Sequence, residues 1–224
     1  MKSSLLDDVS RETSRASLFS GAKSLGITLS AEDCNRLLQY LALLLKWNRV
    51  YNLTSIRNVT DMVGLHLLDS MSVLPVLDAM SEGEPVRLLD IGAGAGLPGL
   101  VLASLRPDWS VTLIDAVQKK AAFMTQAIGE LGLKNCRAVH GRVEQHSSNQ
   151  KYNFVVSRAF SDLSLFAGLA SDHLTPDGFL CAMRGKIDAN LSLPAGWEEY
   201  SFSKLVVPGV SAERHLIVLR SLKG

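Results

Sequence analysis

Ten residues set the strongest limit on what this chain can fold into: Asp90-Ile91-Gly92-Ala93-Gly94-Ala95-Gly96-Leu97-Pro98-Gly99, which follow directly on the apolar run Val86, Leu88 and Leu89. An apolar strand leads into a carboxylate, then a loop with glycine at alternate positions, then a helix opened by Pro98. That is the strand–loop–helix build of a nucleotide or nucleoside site in a doubly wound α/β fold. Without Cβ atoms the loop can turn tightly, and a ligand can lie against bare backbone. The free N–H groups of the following helix are expected to face that ligand.

Two cofactor classes fit this build. Gly94-x-Gly96-x-x-Gly99 satisfies the dinucleotide pattern, which keeps a nicotinamide oxidoreductase open, but a pyrophosphate beside Asp90 would meet a negative charge in a partly dehydrated cleft. S-adenosyl-L-methionine carries a sulfonium, an ammonium and no phosphate, and its ribose hydroxyls want an acceptor. The second apolar strand, Val111-Thr112-Leu113-Ile114, stops at Asp115, where a doubly wound fold places its ribose-binding acid. Asp90 at the methionine end and Asp115 at the ribose, with Gly92, Gly94, Gly96 and Leu97 between them, suit this second cofactor. A bare tight turn is the alternative.

The 224 residues, 47% of them hydrophobic, suffice for one α/β domain. We read residues 1–80 as a helical N-terminal extension and 81–224 as the cofactor-binding core. Cys34, Cys136 and Cys181 are odd in number and lack metal spacing, which suggests neither a disulfide framework nor a metal site. Residues 1–15 lack a signal-peptide apolar core and no later apolar run reads as membrane length, so a cytoplasmic protein without a membrane partner is expected. A net charge of +1 excludes a general basic excess, so any nucleic-acid role rests on local patches. These are Lys46, Arg49 and Arg57; Lys119 and Lys120; Arg137 and Arg142; Arg158; and Arg184 with Lys186. Several fall near expected strand ends, where parallel sheets bind ligands.

Ser30-Ala31-Glu32-Asp33 resembles a capping box and opens a predicted helix over 30–47. Further helices are predicted within 12–25, ended by Gly26, and over 60–74, ended by Pro75. Strands predicted at 86–91, 111–115, 136–140, 154–157 and 179–183 alternate with helices over 118–131 and 161–173, which implies βαβ crossovers and a parallel sheet. Segments 200–206 and 215–219, separated by Pro208-Gly209, predict an antiparallel end to that sheet.

Several segments together resemble the RsmG (GidB) family: residues 46–57 (KWNRVYNLTSIR), His66-Leu67-Leu68-Asp69-Ser70, Gly96-Leu97-Pro98-Gly99, Ser157-Arg158-Ala159-Phe160 and Glu213-Arg214-His215. The resemblance runs in order from about Leu37 to Leu219. It implies a class I S-adenosyl-L-methionine-dependent methyltransferase fold (Rossmann-like) with an antiparallel last strand. The implied activity is methylation of guanine 527 at N7 in 16S ribosomal RNA, with the rRNA or the small ribosomal subunit as partner. By the same resemblance Gly92, Leu97, Val143, Glu144 and Arg158 contact the cofactor. Ala93, Leu97 and the segment Ala116-Val117-Gln118 depart from the family's usual spelling without removing a charge.

Guanine N7 has a free lone pair and no proton, so attack on a sulfonium methyl needs no general base, and catalysis reduces to in-line positioning. Arg158 and Arg142 are read as positioners of phosphate or guanine edge. The alternative for Arg158 is an ion pair with Asp162, Glu144 or Asp115. The polar residues Asn52 and Arg57, with Lys119, Lys120, Arg142, Arg184, Lys186 and Arg214, are the candidate RNA contacts. No Asn/Asp-Pro-Pro-aromatic tetrad or Pro-Cys pair follows the fourth strand, which points away from exocyclic amines and pyrimidine C5. Trp47 and Tyr51 either stack on a base or pin the extension to the sheet, with packing preferred. His66 reads as a core or capping histidine.

Overall fold

The computed structural model describes residues 8–147, 150–187 and 192–222; the first seven residues of the proposed extension and the last two of the core lie outside them. Helices α1 (Asp8–Ser24) and α2 (Ala31–Tyr51) begin the chain. Ser30 caps α2 through the predicted box: its hydroxyl accepts from the Asp33 amide and the Asp33 carboxylate accepts from the Ser30 amide. Gly26 takes the positive φ that ends the first helical segment.

The third predicted helix is broken. After α3 (Val59–Met62) the chain loosens into a π-helical turn, Val63–Leu68, and tightens again in α4 (Asp69–Met71) and α5 (Leu74–Ser81). Pro75 opens α5 instead of closing the helix before it, because the first turn of a helix needs no proline N–H. By length and composition this 23-residue stretch, Val59–Ser81, is apolar enough to cross a membrane, contrary to the sequence expectation. In the structure 67% of its apolar window is buried inside the protein, as in a core helix.

The sheet follows: β1 (Arg87–Ile91), α6 (Gly99–Leu105), β2 (Ser110–Asp115), α7 (Gln118–Leu131), β3 (Cys136–His140), β4 (Tyr152–Ser157), α8 (Leu163–Ala170), β5 (Leu174–Arg184), β6 (Trp197–Leu205) and β7 (Arg214–Ser221). Its order is β3-β2-β1-β4-β5-β7-β6, parallel from β3 through β5, with β7 antiparallel to both neighbours. The order reverses between β1 and β4, and the carboxyl ends of those strands open the crevice where ligands of such sheets bind. Pro98 precedes α6 as its cap, one residue later than predicted.

Leu37, Leu38, Leu41 and Leu44 of α2 are buried in the same apolar cluster as Leu88, Leu113, Phe154 and Val218 of the sheet. Each such leucine contributes about 2 kcal/mol of burial, and extension and sheet share one apolar core. The opposite sheet face packs Ile91, Val155, Leu180 and Ile217 against Phe166 and Ala170 of α8. All three cysteines are buried and unpaired, and Cys181 sits in the β5 core.

Candidate functional site

The glycines of the loop serve different purposes. A Cβ on Gly99 would lie 2.2 Å from Leu113 Cδ2 and 3.0 Å from Asp90 Oδ2, so this glycine lets α6 close onto the sheet. Gly94 takes φ +61, and a Cβ there would meet only the Gly92 carbonyl oxygen, at 3.9 Å. It also lines the cleft, so at this position the backbone is bare toward a ligand. Gly96 is packed instead against Leu100, where a Cβ would come within 2.3 Å.

Asp90 departs from its expected place. It is fully buried beneath the loop, where Oδ2 accepts from the Gly99 amide at 2.8 Å and Oδ1 has no partner among the described residues. Burial pushes its carboxyl up to about 7, a rise that the Gly99 N–H and the Arg158 charge oppose and Asp115 reinforces. Its role in the structure is to hold the loop to α6, and it does not line the cleft. The α6 amides are also occupied internally: Leu100 donates to Gly96, and Val101 and Leu102 to Pro98. They do not present the donors that the sequence suggested.

Asp115 ends β2 as predicted and is nearly buried. Its Oδ2 accepts from the Gly94 amide at 2.9 Å and its Oδ1 from the Val117 amide at 2.8 Å, so the acid and the bare turn are one unit. Each carboxylate oxygen keeps a second lone pair for a hydroxyl donor. Val143 and Glu144 form a 3-10 turn after β3, Val143 buried and Glu144 exposed.

Between the extension and the carboxyl ends of β1, β4 and β5 lies a cleft of about 590 Å3, lined by residues 53–56, Leu65, His66 and Asp69 on one side and by Gly92–Ala95, Leu97, Arg158, Arg184 and Arg214 on the other. Its size suits a small-molecule ligand. Tyr40 of α2 reaches across to the loop, its hydroxyl donating to the Ala95 carbonyl at 2.8 Å. The π turn sets His66 with Nδ1 3.1 Å from the Leu65 carbonyl and Nε2 3.0 Å from Thr54 Oγ1. Burial, with the Arg158 charge, pulls its pKa down to about 4. A neutral ring with these neighbours carries its proton on Nδ1 and accepts from Thr54 at Nε2. It is therefore the structural histidine expected.

The charged heart of the cleft was not foreseen. Arg158 pairs with Asp69 rather than with Asp162, Glu144 or Asp115: Arg158 Nη1 lies 2.9 Å from Asp69 Oδ2, and Arg214 Nε lies 2.8 Å from Asp69 Oδ1. The Asp69 side chain is 4% exposed, so both its oxygens are held by cations in a nearly dry setting. Asp162 instead caps α8 through the Ser164 and Leu165 amides. Asp69 stands inside the quoted segment His66–Ser70, but no local pattern marks it as a bridge.

The remaining candidate RNA contacts divide. Lys119 is exposed, its Nζ donating to the Tyr51 carbonyl at the end of α2, and Lys120 lies 3.6 Å from Asp115, so each has a partner within the fold. Arg137 is likewise committed, to Thr112 and Tyr152. Arg142 and Lys186 are exposed; Asn52 and Arg57 are exposed and contact each other at 3.4 Å. Trp47 packs edge-on against Phe123 at 5.6 Å, as packing predicted, while Tyr51 lies on Trp47 and is 41% exposed.

Comparison with known proteins follows the same lines. Residues 33–217 match the family model for rRNA small subunit methyltransferase G. A ribosomal RNA small subunit methyltransferase G of Methylobacillus flagellatus is 48% identical over 202 residues, 90% of this chain and 96% of that protein, and one of Ralstonia nicotianae is 46% identical over 210 residues, 92% and 94%. In fold, the chain is similar to a SAM-dependent methyltransferase from Geobacter sulfurreducens crystallised with S-adenosyl-L-homocysteine (TM-score 0.52, 14% identity, 80% of this chain and 97% of that one). With most of its length matched and close to half its residues shared with such relatives, the chain belongs to the rRNA small subunit methyltransferase G family.

Proposed function

We propose that this protein transfers the methyl group of S-adenosyl-L-methionine to N7 of guanine 527 in 16S ribosomal RNA. The family supports methylation of small-subunit rRNA; guanine 527 and its N7 are what the resemblance implies, and the cleft is compatible with that atom. Its acidic group, Asp69, has both oxygens tied to arginines, and His66 is held neutral with each ring nitrogen beside a fixed partner. A proton-free nucleophile with an exposed lone pair suits such a site, because no group has to accept a proton.

When bound, the cofactor supplies an electrophilic methyl on a sulfonium. Asp115, which holds the Gly94 amide, is positioned to accept from ribose hydroxyls, the turn at Gly92 and Gly94 offers a surface without side chains, and Leu97 lines the cleft beside it, while Val143 and Glu144 are cofactor contacts by the resemblance and follow β3. Arg158, charged and in the cleft, suits a carboxylate. These residues fit the group: an acid holding the turn at the end of β2, bare backbone at Gly94, and a cation in the cleft. Gly96 and Asp90 serve from behind, by packing the loop. Asn52, Arg57, Arg142, Arg184, Lys186 and Arg214 are the RNA-facing candidates. The protein's contribution is then alignment of the purine with the methyl and exclusion of water, an effect worth several kcal/mol, to about 10 at most.

The test is transfer of a labelled methyl group to small-subunit rRNA from cells lacking the protein, followed by borohydride and aniline, which cleave RNA at N7-methylguanosine. Cleavage at guanine 527 that depends on the protein is expected. Label recovered in another base, or on another atom of guanine, refutes the assignment.

A further inference from the structure

Among the described residues the cleft holds more positive charge than its acid can balance: three guanidinium groups, Arg158, Arg184 and Arg214, against the one carboxylate of Asp69 leave an excess of two. Asp69 engages one nitrogen of each of two arginines, Nη1 of Arg158 and Nε of Arg214. Backbone carbonyls fix them further, Leu65 accepting from Arg158 Nη1 and Glu213 from Arg214 Nη1. The two forks are thus locked in orientation by an element of the extension, with Nη2 on each outside these contacts. Arg184, at the end of β5, lines the same cleft, and its enclosed Nη1 has no partner among the described residues. No ion pair among the described residues answers the Arg184 charge, and an anionic acceptor in the cleft would do so.

Building on the rRNA methyltransferase reading, we propose that Arg184 and Arg214 bind one phosphodiester of the RNA strand beside the target nucleotide, and that Asp69 is the positioning residue that aims Arg214 for it. Phosphate matches both the charge excess and the planar donor geometry of arginine. It also explains why a carboxylate sits at the centre of a cationic cleft. Without Asp69 the two arginines it holds would repel each other and turn toward solvent; with it, their charges stay close together while most of the positive field remains.

The experiment measures binding of the full-length protein to small-subunit rRNA across a salt series, alongside calorimetric affinity for S-adenosyl-L-homocysteine. Arg184→Gln, at a side chain without a partner to lose among the described residues, is expected to weaken rRNA binding about tenfold or more and to reduce the slope of log affinity against log salt by about 0.7 to 0.9. Affinity for S-adenosyl-L-homocysteine is expected to stay at the wild-type value. Asp69→Asn raises the positive charge of the cleft by one, yet is expected to weaken rRNA binding while circular dichroism stays unchanged; a residue acting through charge alone would tighten it. An unchanged salt slope in Arg184→Gln overturns the proposal, and so does a loss confined to the homocysteine ligand, which would make the anion a cofactor carboxylate. If the wild-type protein shows the slope and the variants lose it but no methyl is transferred, the catalytic reading fails and the phosphate anchor stands.

Discussion

Two buried groups give opposite pH dependences to the stability of this fold, and replacing one exposes the other. Asp90 has its carboxyl raised from the ordinary 3.8 to about 7 by burial, so the folded protein holds that proton more tightly than the unfolded chain. Its contribution is fully present below the unfolded value and is lost as pH rises through the folded one. Between pH of about 5 and 8 that loss is about 3 kcal/mol. His66 behaves in the reverse sense. Burial lowers its pKa from 6.5 to about 4, so the unfolded chain binds the proton better and stability rises with pH over the same window, by about 2 kcal/mol. The two nearly cancel in the wild type. Asp90→Asn keeps an acceptor for the Gly99 amide and cannot titrate, so it should leave the His66 slope standing. Urea unfolding followed by fluorescence of Trp47, Trp109 and Trp197 at the two pH values gives the measurement. The change in stability from about pH 5 to 8 should be more positive in Asp90→Asn than in the wild type by about 3 kcal/mol. Every other titrating group cancels in that difference, as does the fixed cost of placing an amide nitrogen where Asp90 Oδ1 has no partner. Equal pH dependences in the two proteins would refute the assignment of a raised carboxyl beneath the loop.

The glycines make a paired prediction: Gly99→Ala should destabilise by about 3 kcal/mol through overlap with Leu113 and Asp90, whereas Gly94→Ala should cost about 1 kcal/mol for its positive φ and instead weaken binding of S-adenosyl-L-homocysteine, as read by thermal melts and calorimetry. Equal losses of stability would contradict the division of roles between them. Tyr40→Phe removes the donor to the Ala95 carbonyl and should cost about 1 to 2 kcal/mol, with faster amide exchange concentrated in residues 92–97. A uniform change across the sheet would mean that the extension does not brace the loop. His66→Phe should make the change in stability from about pH 5 to 8 more negative than in the wild type by about 2 kcal/mol, and a change equal to the wild type's would remove His66 from the account.

What the sequence makes legible is what repeats locally. The alternation of apolar strands with amphipathic helices shows up as a parallel sheet, Pro208-Gly209 between two apolar runs as the antiparallel edge, and the Ser30 box as the start of α2, because each depends on residues within a few positions. Asp115 is legible for the same reason: the end of an apolar run fixes where its carboxylate lies. Asp90 ends an equally apolar run and reads alike, yet it turns under α6, since the direction of its side chain is decided by Gly99 approaching from nine residues away. Asp69 is harder still. Its partners stand 89 and 145 residues along the chain, and they meet it because the π turn of the extension is laid against the loop after β4 and the start of β7. No spacing rule spans such distances, and a charged residue in an apolar helix looks the same whether it faces water or two arginines. Burial decides between these outcomes, and it also decides chemistry: a carboxylate exposed in this cleft would be a base, whereas one clamped on both oxygens orders the cations around it.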